Sequence, residues 1–402
     1  MVQICFSGYD PTNPPDRFSI RNIGCLLTPW EEIHDAVLLV EKGRIAAILS
    51  GSGVQGLMNL PSVDVGGATV VPGFIDLHVH GGGGADVLDG TQEALKTIST
   101  FHAAHGTTAL LATVGTAPWP RILGAVGTVA EAAEAVDWPG ARILGLHLEG
   151  PFINPKRRGA QPLEFLLPPS QPLLEEVLRM ARGHWVLITL APELWPEELM
   201  QFLVDRGVTI SLGHTDATWV QASRAIVLGA RHATHLFNAM RPLHHREPGV
   251  AGAVLLEGQV RAEIIADGIH VHPAVIALVA RVKGREGIAL ITDAIRAAGL
   301  RDGVYELFGQ EIMVSGREAR LPDGTLAGST LTMERAVANM VSWGFSRCDA
   351  VSMATAVPAG IAGVGDRKGR IALGYDADLV VLDEAFTVHL TFVEGRIAFS
   401  LA

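Results

Sequence analysis

Cysteine is scarce in this chain: Cys5, Cys25 and Cys348 are the only three in 402 residues, far apart and with no CxxC pair. A disulfide scaffold and a cysteine-based zinc module are therefore excluded, and a reducing compartment, the cytoplasm, is expected. Long hydrophobic runs are missing too. A stretch such as Trp185 to Ala191 stops well short of the roughly 20 residues a membrane span needs, so no membrane partner is expected. The opening segment MVQICFSGYDPTNPPDR has no basic region followed by an apolar one, so no signal peptide is expected. Basic residues are outnumbered, 31 against 42 acidic ones, for a net charge of −11. That argues against nucleic acid or an anionic membrane as the main partner, while leaving room for a local basic pocket that takes a small anion.

What is present is core-forming material: 48% of residues are hydrophobic and 18% charged, which excludes wholesale disorder. The length suits two to three average domains, or one large barrel with a smaller attachment. No tandem repeat or low-complexity tract occurs, but the two ends echo each other. VLLVEKGRIAAI (37–48) and TFVEGRIA (391–398) each read as strand, glycine turn, Arg-Ile and strand, a hairpin signature. The simplest organisation is a small composite β-domain from residues 1–71 plus 366–402, with residues 72–365 inserted between. The rival is two unrelated surface hairpins.

The insert alternates short apolar runs with amphipathic segments. Strand candidates are GFIDLHV (73–79), TTALLATV (107–114), ARILGLHL (141–148), WVLITLA (185–191), VTISLG (208–213), HATHLF (232–237), RAEIIAD (261–267) and GIALITD (287–293). Helix candidates lie between them, at 93–106, 216–230 and 273–284 for instance. Eight such units predict an α/β chain built as a (β/α)8 TIM-like barrel. A doubly wound open sheet is the runner-up, but its GxGxxG turn is missing. The Gly81–Gly84 run lacks the spacing of a phosphate loop and reads as close backbone approach or flexibility.

Active sites of such barrels stand at the C-terminal ends of the strands. Here those ends carry His78 and His80, then His147 and Glu149, then His214 and Asp216, His235 with Asn238, Asp267 with His270, and Asp293. His78 and His80 are two apart in a strand and so share a face. Each feature alone is weak. A single His-x-His is more often structural, a lone core histidine is usually just hydrogen-bonded, and Asp293 could cap a helix. Together, five potential ligands and one carboxylate base at predicted rims are hard to explain structurally, because burying them without a cation carries a severe desolvation cost. Imidazoles and carboxylates suit a divalent ion, Zn²⁺ first, with Fe²⁺ or Mn²⁺ also fitting. No GxSxG nucleophile elbow occurs, which argues against covalent acyl transfer.

At this point a resemblance enters. PGFIDLHVHG (72–81), HLEGPFINP (147–155), SLGHTDA (211–217), THLFNAM (234–240), HHREPGVAGA (244–253), ADGIHVHP (266–273), ITDA (291–294) and LAGSTLTM (326–333) resemble the N-acetylglucosamine-6-phosphate deacetylase family of the amidohydrolase superfamily. The resemblance runs the length of the barrel. HLEGPF, THLFNAM and REPG are its specific parts, and the HxH pair and final Asp belong to the whole superfamily.

The resemblance implies hydrolysis of the acetamide of a 6-phosphorylated amino sugar to the free amine and acetate. It implies Glu149, His214 and His235 as metal ligands, with His78 and His80 as the pair that admits a second ion, so one or two ions per chain stay open. Asp293 would be the general base and then the acid. Arg246 and His270 would bind the phosphate, Arg246 from the neighbouring subunit of a homodimer, with Asn238 and Ala239 as further donors. Ala160, Gln161, Leu326, Ala327 and Gly328 fall in the substrate-binding motifs. One departure stands out: the run Arg158-Gly159-Ala160-Gln161 has Gln161 where the family usually has His, and a neutral amide cannot become cationic. Either oxyanion assistance at that position or the identity of the sugar is affected. His244 and His245 receive no role, and Lys156, Arg157 and Arg158 read as a solvated charge run that could also draw in an anion. Rival substrates are N-acetylgalactosamine 6-phosphate or another N-acyl amino compound. Cyclic-amide hydrolases and nucleobase deaminases tend to carry another residue where Glu149 stands, and a catalytically dead scaffold would usually have lost ligands.

Overall fold

The structure, a computed structural model, describes residues 2–50, 57 and 59–401. Eight strands form its centre: β1 (Phe74–Val79), β2 (Thr107–Val114), β3 (Arg142–Glu149), β4 (Trp185–Leu190), β5 (Thr209–Leu212), β6 (His232–Ala233), β7 (Arg261–Ile265) and β8 (Ile288–Ile291). They pair in parallel, each with the next in sequence. All eight candidate runs are strands, and the α/β barrel expected from them is the architecture found. Just beyond β8 the ring closes on β1: Ala294 bridges Val79, and the Asp293 N–H donates to His78 O at 3.0 Å. Below that seam the buried Asp76 of β1 accepts from Thr292 N at 3.2 Å and Thr292 Oγ1 at 2.6 Å. Burial pushes Asp76 up to about 7 against the pull of those bonds.

Helices wrap the ring with capped ends. Gln92–Ala104 begins at Thr91, whose side chain accepts from Ala94 N, and Trp219–Val227 begins with a Thr218/Gln221 capping box. The interior between strands and helices is one continuous apolar cluster that includes Leu77, Leu110, Leu146, Ile188, Ile264 and Leu290. Gly81 and Gly82 serve close approach, since a Cβ at Gly81 would fall 2.4 Å from Ala85 O and one at Gly82 2.4 Å from the Phe101 ring.

Outside the barrel the chain ends build two sheets. One contains Arg17–Ile23, Ala36–Glu41 and Arg44–Leu49; in the other, Leu379–Leu382 pairs antiparallel with Thr69–Pro72 and with Val388–Val393. The echoed segments are both two-residue hairpins, with Lys42-Gly43 and Glu394-Gly395 at positive φ as a type I′ turn requires. Phe18, Leu38, Val70, Leu379 and Phe392 share the core between these sheets. Beside it Lys368, only 1% exposed, bonds Asp378 at 2.7 Å, Asp376 at 3.0 Å and Glu394 at 3.2 Å. Lys368→Met strands the buried Asp378 carboxylate, and breaking such a pair costs about 3–5 kcal/mol. Denaturant unfolding should show that loss, and an unchanged midpoint would mean that water reaches Asp378.

Residues 294–325 carry no strand expectation from sequence, yet Gly303–Leu307, Gln310–Ser315 and Glu318–Arg320 form a three-stranded antiparallel sheet. It leans over the barrel mouth, where Gln310 Nε2 donates to Ala160 O at 2.6 Å.

Candidate active site

The C-terminal ends of β1, β3, β5, β6 and β8 deliver their polar residues to one buried point. Glu149, the last residue of β3, is its hub. Its Oε1 lies 2.9 Å from His235 Nε2, 3.0 Å from His214 Nε2 and 3.3 Å from His78 Nε2, while Oε2 lies 3.0 Å from His80 Nε2. Asp293 Oδ1 stands 3.4 Å from His80 Nε2 and 3.5 Å from His78 Nε2. The backbone that aims these groups is strained: His214, His235 and Asp293 have φ of 48°, 28° and 51°, in the left-handed region that non-glycine residues adopt uncommonly.

The donor set fits a cation. His214 Nδ1 faces Arg157 O at 2.9 Å, an acceptor only, so the proton sits on Nδ1 and the Nε2 lone pair points at His235 Nε2, 3.1 Å away. His78 Nδ1 faces Glu263 Oε2 at 3.1 Å, which leaves its Nε2 lone pair facing His80 Nε2 at 3.2 Å. Lone pairs converging on carboxylate oxygens need a positive centre between them. Three groups have ligand spacing: His78/His80/Asp293 and Glu149/His214/His235 share this point, and His78/His147/Glu263 adjoins it. Charges within the cluster respond accordingly. Burial alone would raise Glu149, but His78 and His214 beside it hold its carboxyl well below the usual range. Burial alone would lower His78, and Glu149 and Asp293 raise it instead.

Above this point opens a cavity of about 300 Å³, lined by His80, Glu149, Ala160, Gln161, His214, His235, Asn238, Ala239, His270, Asp293, Leu326 and Gly328 among others. Most residues expected from sequence are thus together. His78 lies beneath His80, fully buried, and Ala327 is buried behind the wall with its N–H on Ala319 O. Arg246 is outside: its side chain is exposed and Nη1 lies 2.8 Å from His245 Nε2. Gln161 is spoken for, because its Oε1 accepts from Thr116 N at 2.7 Å and its Nε2 donates to Glu149 Oε2 at 2.8 Å. Arg157 is not simply part of a solvated run. It pairs with Asp216 at 2.8 Å and offers its carbonyl to His214. His270 is held by Asp267 at 2.7 Å; burial would lower its pKa, but that carboxylate raises it.

Four contributors carry no sequence expectation. Glu263 on β7 and Asp76 on β1 are carboxylates inside apolar strands, the one signal that marks them. Glu193 accepts from Asn154, Thr215 and Asp216 at 2.6–2.7 Å and ties together the loops after β3, β4 and β5. Phe308, from the sheet over the mouth, lines the cavity and meets the His80 ring edge-on at 5.1 Å.

Residues 69–398 match the amidohydrolase family model. The chain belongs to the amidohydrolase family. This amidohydrolase is 44% identical over 338 residues to the N-acetylglucosamine-6-phosphate deacetylase of Bacillus subtilis (strain 168), covering 83% of this chain and 85% of that one. It is 38% identical over 375 residues to the N-acetylgalactosamine-6-phosphate deacetylase of Escherichia coli O157:H7, covering 93% and 97%. Among solved structures, it resembles a mutant of N-acetyl-D-glucosamine-6-phosphate deacetylase from Mycobacterium smegmatis in complex with N-acetyl-D-glucosamine-6-phosphate. The TM-score is 0.88 and the identity 35%, covering 96% of this chain and 99% of that one. The family is metal-dependent, and this chain carries groups with the spacing to hold an ion. Among the described residues no helix is long and apolar enough to cross a membrane.

Proposed function

We propose that this amidohydrolase removes the N-acetyl group of N-acetyl-D-glucosamine 6-phosphate, releasing D-glucosamine 6-phosphate and acetate. The observation that carries the reading is Asp293 Oδ1 standing 3.4–3.5 Å from the histidine pair at the floor of the cavity. We assign Glu149, His214 and His235 to the principal cation, Zn²⁺ by preference and Fe²⁺ or Mn²⁺ as alternatives, and His78 and His80 to a second. A divalent ion held there lowers the pKa of water from 15.7 towards ~7 and withdraws charge from a carbonyl oxygen. Asp293 takes the proton of the attacking water as the water oxygen bonds to the acetamide carbon. It then returns that proton to the nitrogen as the C–N bond breaks, leaving amine and acetate.

The sugar rests against Leu326 and Gly328, backed by the buried Ala327, on one side and Ala160 and Gln161 on the other. His270, its pKa raised by the Asp267 carboxylate, draws in the 6-phosphate with Asn238 and Ala239. Arg246, out of reach of its own cavity, completes the phosphate site of a partner subunit in a homodimer. Residues 1–71 with 366–402 act as a structural unit and residues 72–365 as the catalytic one. Its three cysteines, all unpaired, suit the cytoplasm. The galacto epimer is the second reading, favoured by the Escherichia coli relative.

Acetate release from the two epimeric 6-phosphates tests both readings at once, and release from neither discards deacetylation. Arg246→Ala should lower kcat/KM for the phosphorylated sugar by about 10- to 150-fold and barely change the unphosphorylated one, as for a charge-assisted bond worth roughly 1.5–3 kcal/mol. Mixing Arg246→Ala with Asp293→Asn subunits should restore up to about a quarter of full activity, since random pairing makes half the dimers mixed, each with one complete site of two. No recovery despite verified subunit exchange would take Arg246 out of the partner's site.

A further inference from the structure

Glu263 is a fully buried carboxylate in the middle of β7, and three donors converge on it. His232 Nε2 lies 2.9 Å from Oε1, and His78 Nδ1 and the His235 backbone N–H each lie 3.1 Å from Oε2. It therefore touches His78 of one cation group and the strained backbone of His235 in the other. Glu263 itself is not among the residues that line the cavity.

We infer that Glu263 is the positioning residue that makes His78 a cation ligand, by fixing the tautomer of its ring, and that it ties this ligand to the His235 turn. The inference rests on the metal-dependent reading above. Imidazole has one proton to place when neutral, and either nitrogen can carry it. A carboxylate at Nδ1 accepts only, so the proton stays on Nδ1 and Nε2 keeps its lone pair, 3.2 Å from His80 Nε2, 3.3 Å from Glu149 Oε1 and 3.5 Å from Asp293 Oδ1. With no acceptor at Nδ1, the proton would move to Nε2, where those same carboxylates attract it, and the ligand would become a donor. Other contacts do not replace this lock. His147, whose ring stacks edge-on against His78 at 4.4 Å, spends its own nitrogens on Thr189 Oγ1 at 2.8 Å and Thr113 Oγ1 at 3.4 Å.

The role is separable from a merely electrostatic one. Glu263→Gln keeps one acceptor oxygen for the side that serves His78 and His235. The amide N–H₂ then faces His232, whose Nδ1 has no partner among the described residues, so that ring can switch tautomer to receive it. Glu263→Met fills similar space and accepts nothing.

Zn²⁺ titration of the metal-stripped full chain, with metal content checked by elemental analysis, tests the proposal. The wild type should bind two ions. Glu263→Met should weaken the second by about 10- to 100-fold, as loss of such a partner to a ligand histidine typically does, with the first ion retained; Glu263→Gln should hold both. Long-range ¹H–¹⁵N spectra of the metal-free wild type at alkaline pH should show His78 protonated on Nδ1, and this decides the matter even if Glu263→Met does not fold. A wild type that takes one ion, a Met variant with both ions at unchanged affinity, a Gln variant as impaired as Met, or His78 protonated on Nε2 each overturns the assignment. No binding of any ion by the wild type would instead sink the metal-dependent reading itself.

Discussion

Asp293→Asn is expected to leave fold and metal content unchanged and to lower turnover by at least ~10²–10⁴, the contribution of a positioned general acid–base. The substitution is nearly isosteric, and the backbone around Asp293 is fixed independently of the carboxylate. Its N–H donates to His78 O at 3.0 Å, and its carbonyl accepts from Ser329 N at 2.8 Å. The left-handed φ of 51° suits Asn at least as well as Asp. An amide oxygen can still face His78 and His80, but it cannot take a proton from water or return one to a departing amine. KM for the substrate should change little, because the loss falls on the chemical step. A variant with near-normal kcat and full metal content would remove Asp293 from the proton path.

The barrel is legible in the sequence because parallel strands buried on both faces read as unbroken apolar runs. TTALLATV and ARILGLHL stand out this way, and both are strands. The candidate ligands are legible because several ionisable groups at the ends of such runs are together hard to explain structurally. The same logic points to Glu263 and Asp76, but these stand inside runs rather than at their ends, where a barrel rim is not expected. Gln161 shows a different limit. Its position in a substrate-binding motif suggests contact with the sugar, and it does line the cavity, but the bonds of its amide to Thr116 and Glu149 depend on where β2 and β3 lie in space. The sheet at residues 303–320 escapes because its strands are short and half exposed, so their period-two alternation competes with an ordinary loop. Arg246 marks the last limit: among the described residues its side chain meets its neighbour His245, and the partner-subunit role proposed for it would depend on a contact that no pattern within one chain carries.

Glu149→Gln should abolish both metal binding and activity, and the reason lies in the direction the new amide must face. Gln161 has no freedom: Thr116 N–H holds its Oε1, so its Nε2–H points at residue 149. A glutamine there must answer with its oxygen, which turns its own N–H₂ towards His214 Nε2 and His235 Nε2, the atoms now 3.0 and 2.9 Å from Glu149 Oε1. The His214 lone pair, aimed inward because Nδ1 donates to Arg157 O, would accept from that amide instead of holding a cation. One substitution thus removes the negative charge shared by both groups and blocks a ligand with a hydrogen bond. His78→Ala is the contrast, because it leaves Glu149, His214 and His235 in place and should cost at most one ion per chain. Elemental analysis of the two purified variants separates the cases. If His78→Ala emptied the site while Glu149→Gln kept an ion, the principal cation would belong to His78 and His80, and the order of the two sites would have to be reversed.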